Sequence, residues 1–148
     1  MVFIQDLGSH FDAPIERVWE YIFGGYEHDK VHTSTRGGKI SLVSKSPLVL
    51  RYTSERRYGR RWVPEAMRIS IYPPVATVQE FLKGPLAGSV WTYVYTPKGK
   101  RTRIDVVGEF KSKSFGDAQL RRVATAFLDN EFREDAPAVR RAGKSKKE

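Results

Sequence analysis

Six consecutive stretches of two-residue periodicity, packed into residues 39–111, constrain this chain more than any other feature. They read KISLVSKS, LVLRYTSERRY, RWVPEAMRISIY, ATVQEFLKG, VWTYVYTPK and RTRIDVVGEF, with only short connections between them. Parallel neighbours need crossovers of a dozen or more residues, so strands spaced this closely must be largely antiparallel. A further strand-like run, VFIQDLGSHF, stands near the start of the chain. Pro64 cannot donate to a ladder, which predicts an edge position or a bulge in the third stretch.

The flanks change to helical spacing. In DAPIERVWEYIF, Ile15, Val18, Trp19 and Ile22 share one face. Asp12 is the expected N-cap, Pro14 suits the first turn, and Gly24 and Gly25 close the helix. YEHDKVHTS predicts a short second helix. The last segment, GDAQLRRVATAFLDNEFREDAPAVRRA, places Leu120, Val123, Phe127 and Leu128 on one stripe, with Ala124 leaving room between them. Asp117 is its expected cap, and Pro137 is expected to kink or end it. An antiparallel sheet usually buries one face, and this helix is the natural cover. The fold class is therefore α+β.

Parity decides which way the aromatic row Trp91, Tyr93, Tyr95 points. In the final strand Ile104, Val106 and Phe110 share one face, while Arg101, Arg103, Asp105, Glu109 and Lys111 share the other, with Val107 the exception. Tyr95 and Ile104 lie at similar distances from the PKGK turn, so pairing them turns the three aromatics inward. Two phenols and an indole N–H need polar partners when buried, so a lined cavity and a core with its hydroxyls at the rim both stand at this level.

The length of 148 residues suits one domain. With no cysteine, a disulfide framework, a thiolate metal site and a cysteine nucleophile are excluded. The net charge is 26 − 17 = +9, concentrated in RRAGKSKKE and ERRYGRRW. We expect a domain over residues 1–139 and a disordered basic tail over 140–148. No apolar run reaches the roughly 20 residues that span a bilayer, and MVFIQDLGSHF lacks a leader pattern; a soluble, cytoplasmic protein is the expectation.

The order of FDAPIERVWEYI, six strands including WTYVYTPKGKRTRIDVVGEF, and one long final helix resembles the START/Bet v 1-like superfamily, in particular its polyketide cyclase/dehydrase-type members. Ala13, Pro14, Val18 and Trp19 at the first helix, and Pro97, Gly99 and Thr102 at the last hairpin, carry the resemblance, over roughly residues 1–140. It implies a helix-grip fold: a curved seven-stranded antiparallel sheet around the C-terminal helix, with an apolar ligand cavity between them. Its lining would be Met67, Ile69, Ile71, Trp91, Tyr93, Tyr95, Ile104, Val106 and Phe110 from the sheet, with Leu120, Val123, Ala124 and Phe127 from the helix. The basic tail lies outside the family's pattern.

Polar candidates are fewer. His28 and His32 stand four apart, the spacing of a two-imidazole metal site, but no third ligand is fixed beyond His10 or Glu27, and pocket-mouth histidines explain them as well. No metal and no cofactor are expected, since no phosphate-binding glycine loop is present. Glu65 shares the Met67 face and reads either as a cavity carboxylate or as the partner of Arg56 or Arg57. Arg56, Arg57, Arg60 and Arg61 form a basic hairpin tip, with Tyr58 and Trp62 as stacking candidates for nucleic acid. The expected function is binding of a small, mainly apolar ligand, which the resemblance extends to cyclase- or dehydratase-like chemistry. A non-catalytic lipid or quinone carrier is the first alternative, and a basic module contacting nucleic acid or anionic surfaces the second. The sequence names neither the ligand nor the oligomeric state.

Overall fold

A computed structural model describes residues 1–23, 35–45 and 48–145. The elements in chain order are β1 (Val2–Phe11), α1 (Ile15–Phe23), β2 (Thr35–Lys45), β3 (Val49–Tyr58), β4 (Arg61–Tyr72), β5 (Ala76–Lys83), β6 (Val90–Lys98), β7 (Arg101–Phe110) and α2 (Asp117–Ser145). All strand pairs are antiparallel, in one seven-stranded sheet ordered β1-β7-β6-β5-β4-β3-β2. Six of these strands follow one another as hairpins, and β1 returns to close the order beside β7. The expected short second helix, with His28 and His32, lies outside the described residues.

The last hairpin pairs Tyr95 with Ile104, the register that parity predicts. Gly99, with φ of +64°, turns the chain between Lys98 and Arg101. Trp91 and Tyr95 are buried beside Ile104, Val106 and Phe110. Pro64 belongs to an interior strand, yet the prediction of an edge or bulge is met locally. Ala66↔Lys83 is the last β4–β5 pair, so β4 runs past its neighbour there, and the register shifts between Ala66 and Met67.

The core lies between the sheet's inner face and α2, joined by α1. Leu120, Ala124 and Leu128 are buried with Phe81, Trp91 and Phe110, and Val18 enters from α1. Thr102 is fully buried and its hydroxyl donates to the Ala13 carbonyl at 2.8 Å, fixing the entry to α1. The Pro14 carbonyl accepts from the Arg17 and Val18 amides, so the helix starts later than an Asp12 cap would set it. Asp12 instead meets Arg101 at 3.2 Å and Arg140 at 3.7 Å.

Two expectations about α2 change. The helix passes through Pro137 and continues to Ser145, so residues 140–145 are helical rather than disordered. One backbone bond is lost at the proline, but Ala138 and Val139 just beyond it are buried, and their packing holds the continuation. Residues 146–148 lie outside the described residues.

Gly108 faces Trp91 across the hairpin. A Cβ there would lie 2.7 Å from a Phe110 ring carbon and 2.8 Å from the Trp91 Cβ. Both neighbours are locked in the core, so Gly108→Ala is expected to cost about 1–3 kcal/mol by overpacking. Urea unfolding checks this against Gly116→Ala, where a Cβ meets nothing within 4 Å. Equal stability of the two variants would contradict the packing described.

Candidate functional site: a cavity between sheet and helix

Alternation along the inner strands and the four-residue spacing on α2 build one cavity from every layer. The sheet supplies Tyr52, Ser54 and Arg56 from β3, Met67 and Ile69 from β4, and Gln79 from β5. Tyr93 and Tyr95 come from β6, Ile104 and Val106 from β7, and Asp6, Ser9 and Phe11 from β1. Ile22 of α1 and Phe127, Leu128, Glu131, Phe132 and Asp135 of α2 complete it. The volume open to water-sized molecule centres is about 100 Å³. One water needs roughly 10–15 Å³ by that measure, so the space holds a small organic molecule or several waters.

Of the expected lining, Met67, Ile69, Tyr93, Tyr95, Ile104, Val106 and Phe127 line this cavity. Trp91, Phe110, Leu120, Val123 and Ala124 belong to the packed core instead, and Ile71 is buried outside the lining. The physical reason is aromatic packing. Trp91 stacks on Phe110 with centroids 5.7 Å apart, meets Phe127 edge-on at 5.3 Å and lies 5.0 Å from Phe81. These four rings fill one end of the sheet–helix space and confine the opening to the other.

A buried ionic cluster forms part of the wall. Arg56 Nε donates to Glu65 Oε1 at 2.6 Å, and its Nη1 lies 3.6 Å from Glu131 Oε1. The guanidinium sits over the Phe127 ring at 4.6 Å, a favourable cation–π placement. The Tyr58 hydroxyl donates to the other Glu65 oxygen, and its ring packs 6.2 Å from Phe115. Arg56 is thus not part of a solvated tip, and Tyr58 is not an outward stacker; only Arg57, Arg60 and Arg61 of the expected basic patch are exposed. Glu65 is buried behind the lining as the partner of Arg56, not as a cavity carboxylate. Gly84 closes over it, since a Cβ there would lie 2.9 Å from the Glu65 Cγ.

Burial pushes the Glu65 carboxyl above its ordinary value, and Arg56 and Tyr58 draw it back only in part. Burial alone would lower the Arg56 pKa; Glu131 and Glu65 outweigh it, and the guanidinium stays charged. A carboxyl whose folded pKa is raised contributes stability that is complete below the unfolded value, near 4.5, and is lost as pH rises through the folded one. Wild-type stability relative to Glu65→Gln is therefore expected to fall as pH is raised from about 4 towards 7. Urea titrations of both proteins across that window measure it; a difference that grows with pH would reverse the assignment.

The phenols stay protonated. Burial, then nearby Glu131, raises Tyr93 well above its ordinary value. Burial likewise raises Tyr95 and Tyr21, and Asp135 adds to both. The Tyr21 hydroxyl donates to Asp135 at 3.1 Å. The cavity therefore offers hydroxyl donors from β6 and carboxylate acceptors from α2, chemistry suited to orienting a ligand with one polar end.

Sequence reasoning missed Arg56, Glu131 and Asp135 as lining residues. A signal for Arg56 exists: the Gly59–Arg60 turn pairs Tyr58 with Arg61, which sets Arg56 opposite Val63 and on the Glu65 face. Glu131 and Asp135 continue the Phe127 stripe at four-residue steps.

The sequence matches no known family profile and no curated protein. Solved structures match over nearly the whole chain. The Zhui aromatase/cyclase from Streptomyces sp. R1128 superposes with a TM-score of 0.74 at 14% identity, covering 98% of this chain and 93% of that one. The di-domain aromatase/cyclase StfQ of the steffimycin biosynthetic pathway gives 0.78 at 14% identity, over 96% of this chain and 52% of its own. Ara h 8.0201 gives 0.70 at 10% identity, over 93% and 97%. With one curved hairpin sheet held around a single long helix, and these likenesses, the chain has a helix-grip fold, the fold it shares with these solved structures.

Proposed function

We propose that this domain binds a small, mainly apolar molecule in the cavity between sheet and α2. The observation that carries this reading is the lining itself. Met67, Ile69, Ile104 and Val106 offer an apolar wall, while Tyr93, Tyr95, Glu131 and Asp135 converge from the sheet and the helix. Ligand sites combine apolar walls with a few placed polar groups in this way. A cyclisation or dehydration of a bound carbonyl compound is the second reading. It is favoured by protonated phenols as donors facing carboxylates as bases, and aromatase/cyclases are among the matched structures. Among the described residues no helix is long and apolar enough to cross a membrane.

Native mass spectrometry with a panel of aromatic, polyketide and lipid compounds tests the binding reading. Binding is expected, and Tyr93→Ala or the space-filling Met67→Trp should weaken it by about tenfold or more. A panel without binders, or binding indifferent to both variants, would overturn it.

A further inference from the structure

We infer that Gln79 is the residue that orients the ligand, by hydrogen-bonding a neutral oxygen at the ligand's polar end; this rests on the ligand-binding reading. The charged groups of the lining already have partners within the protein. Arg56 is paired with Glu65 and Glu131, Asp135 accepts from the Tyr21 hydroxyl, and Asp6 accepts from Ser9. Gln79 stands apart. It lies in the middle of β5, where the register sets it between Ile69 of β4 and Trp91 of β6, and it lines the cavity half-buried. Among the described residues nothing hydrogen-bonds its side chain. An amide held among apolar neighbours is costly to leave unmatched, and Met or Leu would fill the same place without that cost. The contents of the cavity can complete it: water when no ligand is bound, the ligand when one is.

Strand geometry supplies a second donor beside it. Gln79 faces Trp91 directly across β5–β6 and Thr77 faces Tyr93, so Gln79 and Tyr93 are diagonal neighbours on one face, and both line the cavity. Trp91 Nε1 and Thr77 Oγ1 are buried on the same floor and reach no partner at ordinary hydrogen-bond geometry. They still bear on the Tyr93 and Tyr95 oxygens respectively. An indole N–H only donates, so on that side the Tyr93 oxygen faces a donor and its own hydrogen is left for the cavity. The Gln79 amide and the Tyr93 hydroxyl thus offer donors to one acceptor. Among the described lining residues of β4, β5 and β6 none carries a charge, and a buried charge needs a paired one; the matching oxygen is therefore neutral. Seated there, it leaves the ligand's apolar body toward Met67 and Ile69.

Two probes of one shape test this: 2-acetylnaphthalene, and 2-isopropenylnaphthalene, in which a methylene replaces the carbonyl oxygen. Both are measured by equilibrium dialysis at neutral pH against wild type and Gln79→Met. The ketone is expected to bind wild type about tenfold tighter than the alkene. In Gln79→Met that advantage should shrink by about fivefold or more while the alkene's affinity holds or rises. The variant should also melt no lower than wild type, because no hydrogen bond within the protein is lost. A ketone no better than the alkene in wild type, an advantage that Gln79→Met leaves unchanged, or a variant that melts well below wild type overturns this inference. In each of those cases, probes that still bind and are weakened by Met67→Trp keep the ligand-binding reading standing. If neither probe binds, this inference falls, and the ligand-binding reading falls with it when the wider panel is empty as well.

Discussion

Arg56→Met is expected to destabilise the protein by about 3–5 kcal/mol, which for a domain of this size lowers the melting midpoint by on the order of 10 °C. Arg56 is 7% exposed and Glu65 only 1%. Removing the guanidinium leaves the Glu65 carboxylate buried with only the Tyr58 hydroxyl to satisfy it among the contacts described. Glu131, more exposed than Glu65, can draw water when its partner is lost. The asymmetry provides a control. In Arg56→Met/Glu65→Met both charges are gone, and the desolvation cost of the pair is gone with them, so most of the lost stability should return. Urea unfolding of wild type, single and double variants closes the cycle. A single variant as stable as wild type would mean that the pair is solvated; a double variant no more stable than the single would mean that the unpaired Glu65 charge is not what destabilises the single.

Trp91→Ala is expected to cost a similar amount, about 3–5 kcal/mol, through lost burial and the cavity left behind. Its ring is 1% exposed and touches Phe81, Phe110 and Phe127, so no single neighbour can relax to fill the space. Trp91→Phe keeps much of the volume and should cost far less. The contrast with Tyr93 is sharper still. Tyr93 is half-buried and lines the open cavity, so Tyr93→Ala should affect binding more than folding, and Trp91→Ala the reverse. Paired melting and ligand-titration measurements on the two variants read both axes. If Trp91→Ala removed binding without loss of stability, the aromatic cluster would be part of the site rather than its support.

Much of this was legible in the sequence because local rules are strict. A strand alternates its side chains with period two, and a short turn fixes register, so Gly99 was enough to set Tyr95 opposite Ile104 and to turn the β6 aromatics inward. The stripe of Leu120, Val123, Phe127 and Leu128, with Ala124 between them, marked the inward face of α2 for the same kind of reason, a fixed angular step per residue; Leu120, Ala124 and Leu128 are buried there, and Val123 and Phe127 partly so. Where reading failed, a distant partner had overruled the local signal. Four arginines around Gly59 look like a solvated tip, but Arg56 is held inside by Glu65, the pairing the sequence offered as one alternative, and also by Glu131, which stands 75 positions later on α2. Pro137 looks like a stop, but burial of Ala138 and Val139 against the rest of the fold carries the helix on to Ser145.

The sequence by itself determined the antiparallel sheet, the helix that covers it and the inward face of each strand in the last hairpin, since those follow from periodicity and connection length. Only the tertiary structure decided where the space between sheet and helix is filled and where it stays open. The Trp91, Phe110, Phe81 and Phe127 rings close one end because their sizes and angles fit together. The other end remains a cavity walled by Tyr93, Glu131 and Asp135. Packing in three dimensions is a sum over neighbours remote in the chain, and no local pattern contains that sum.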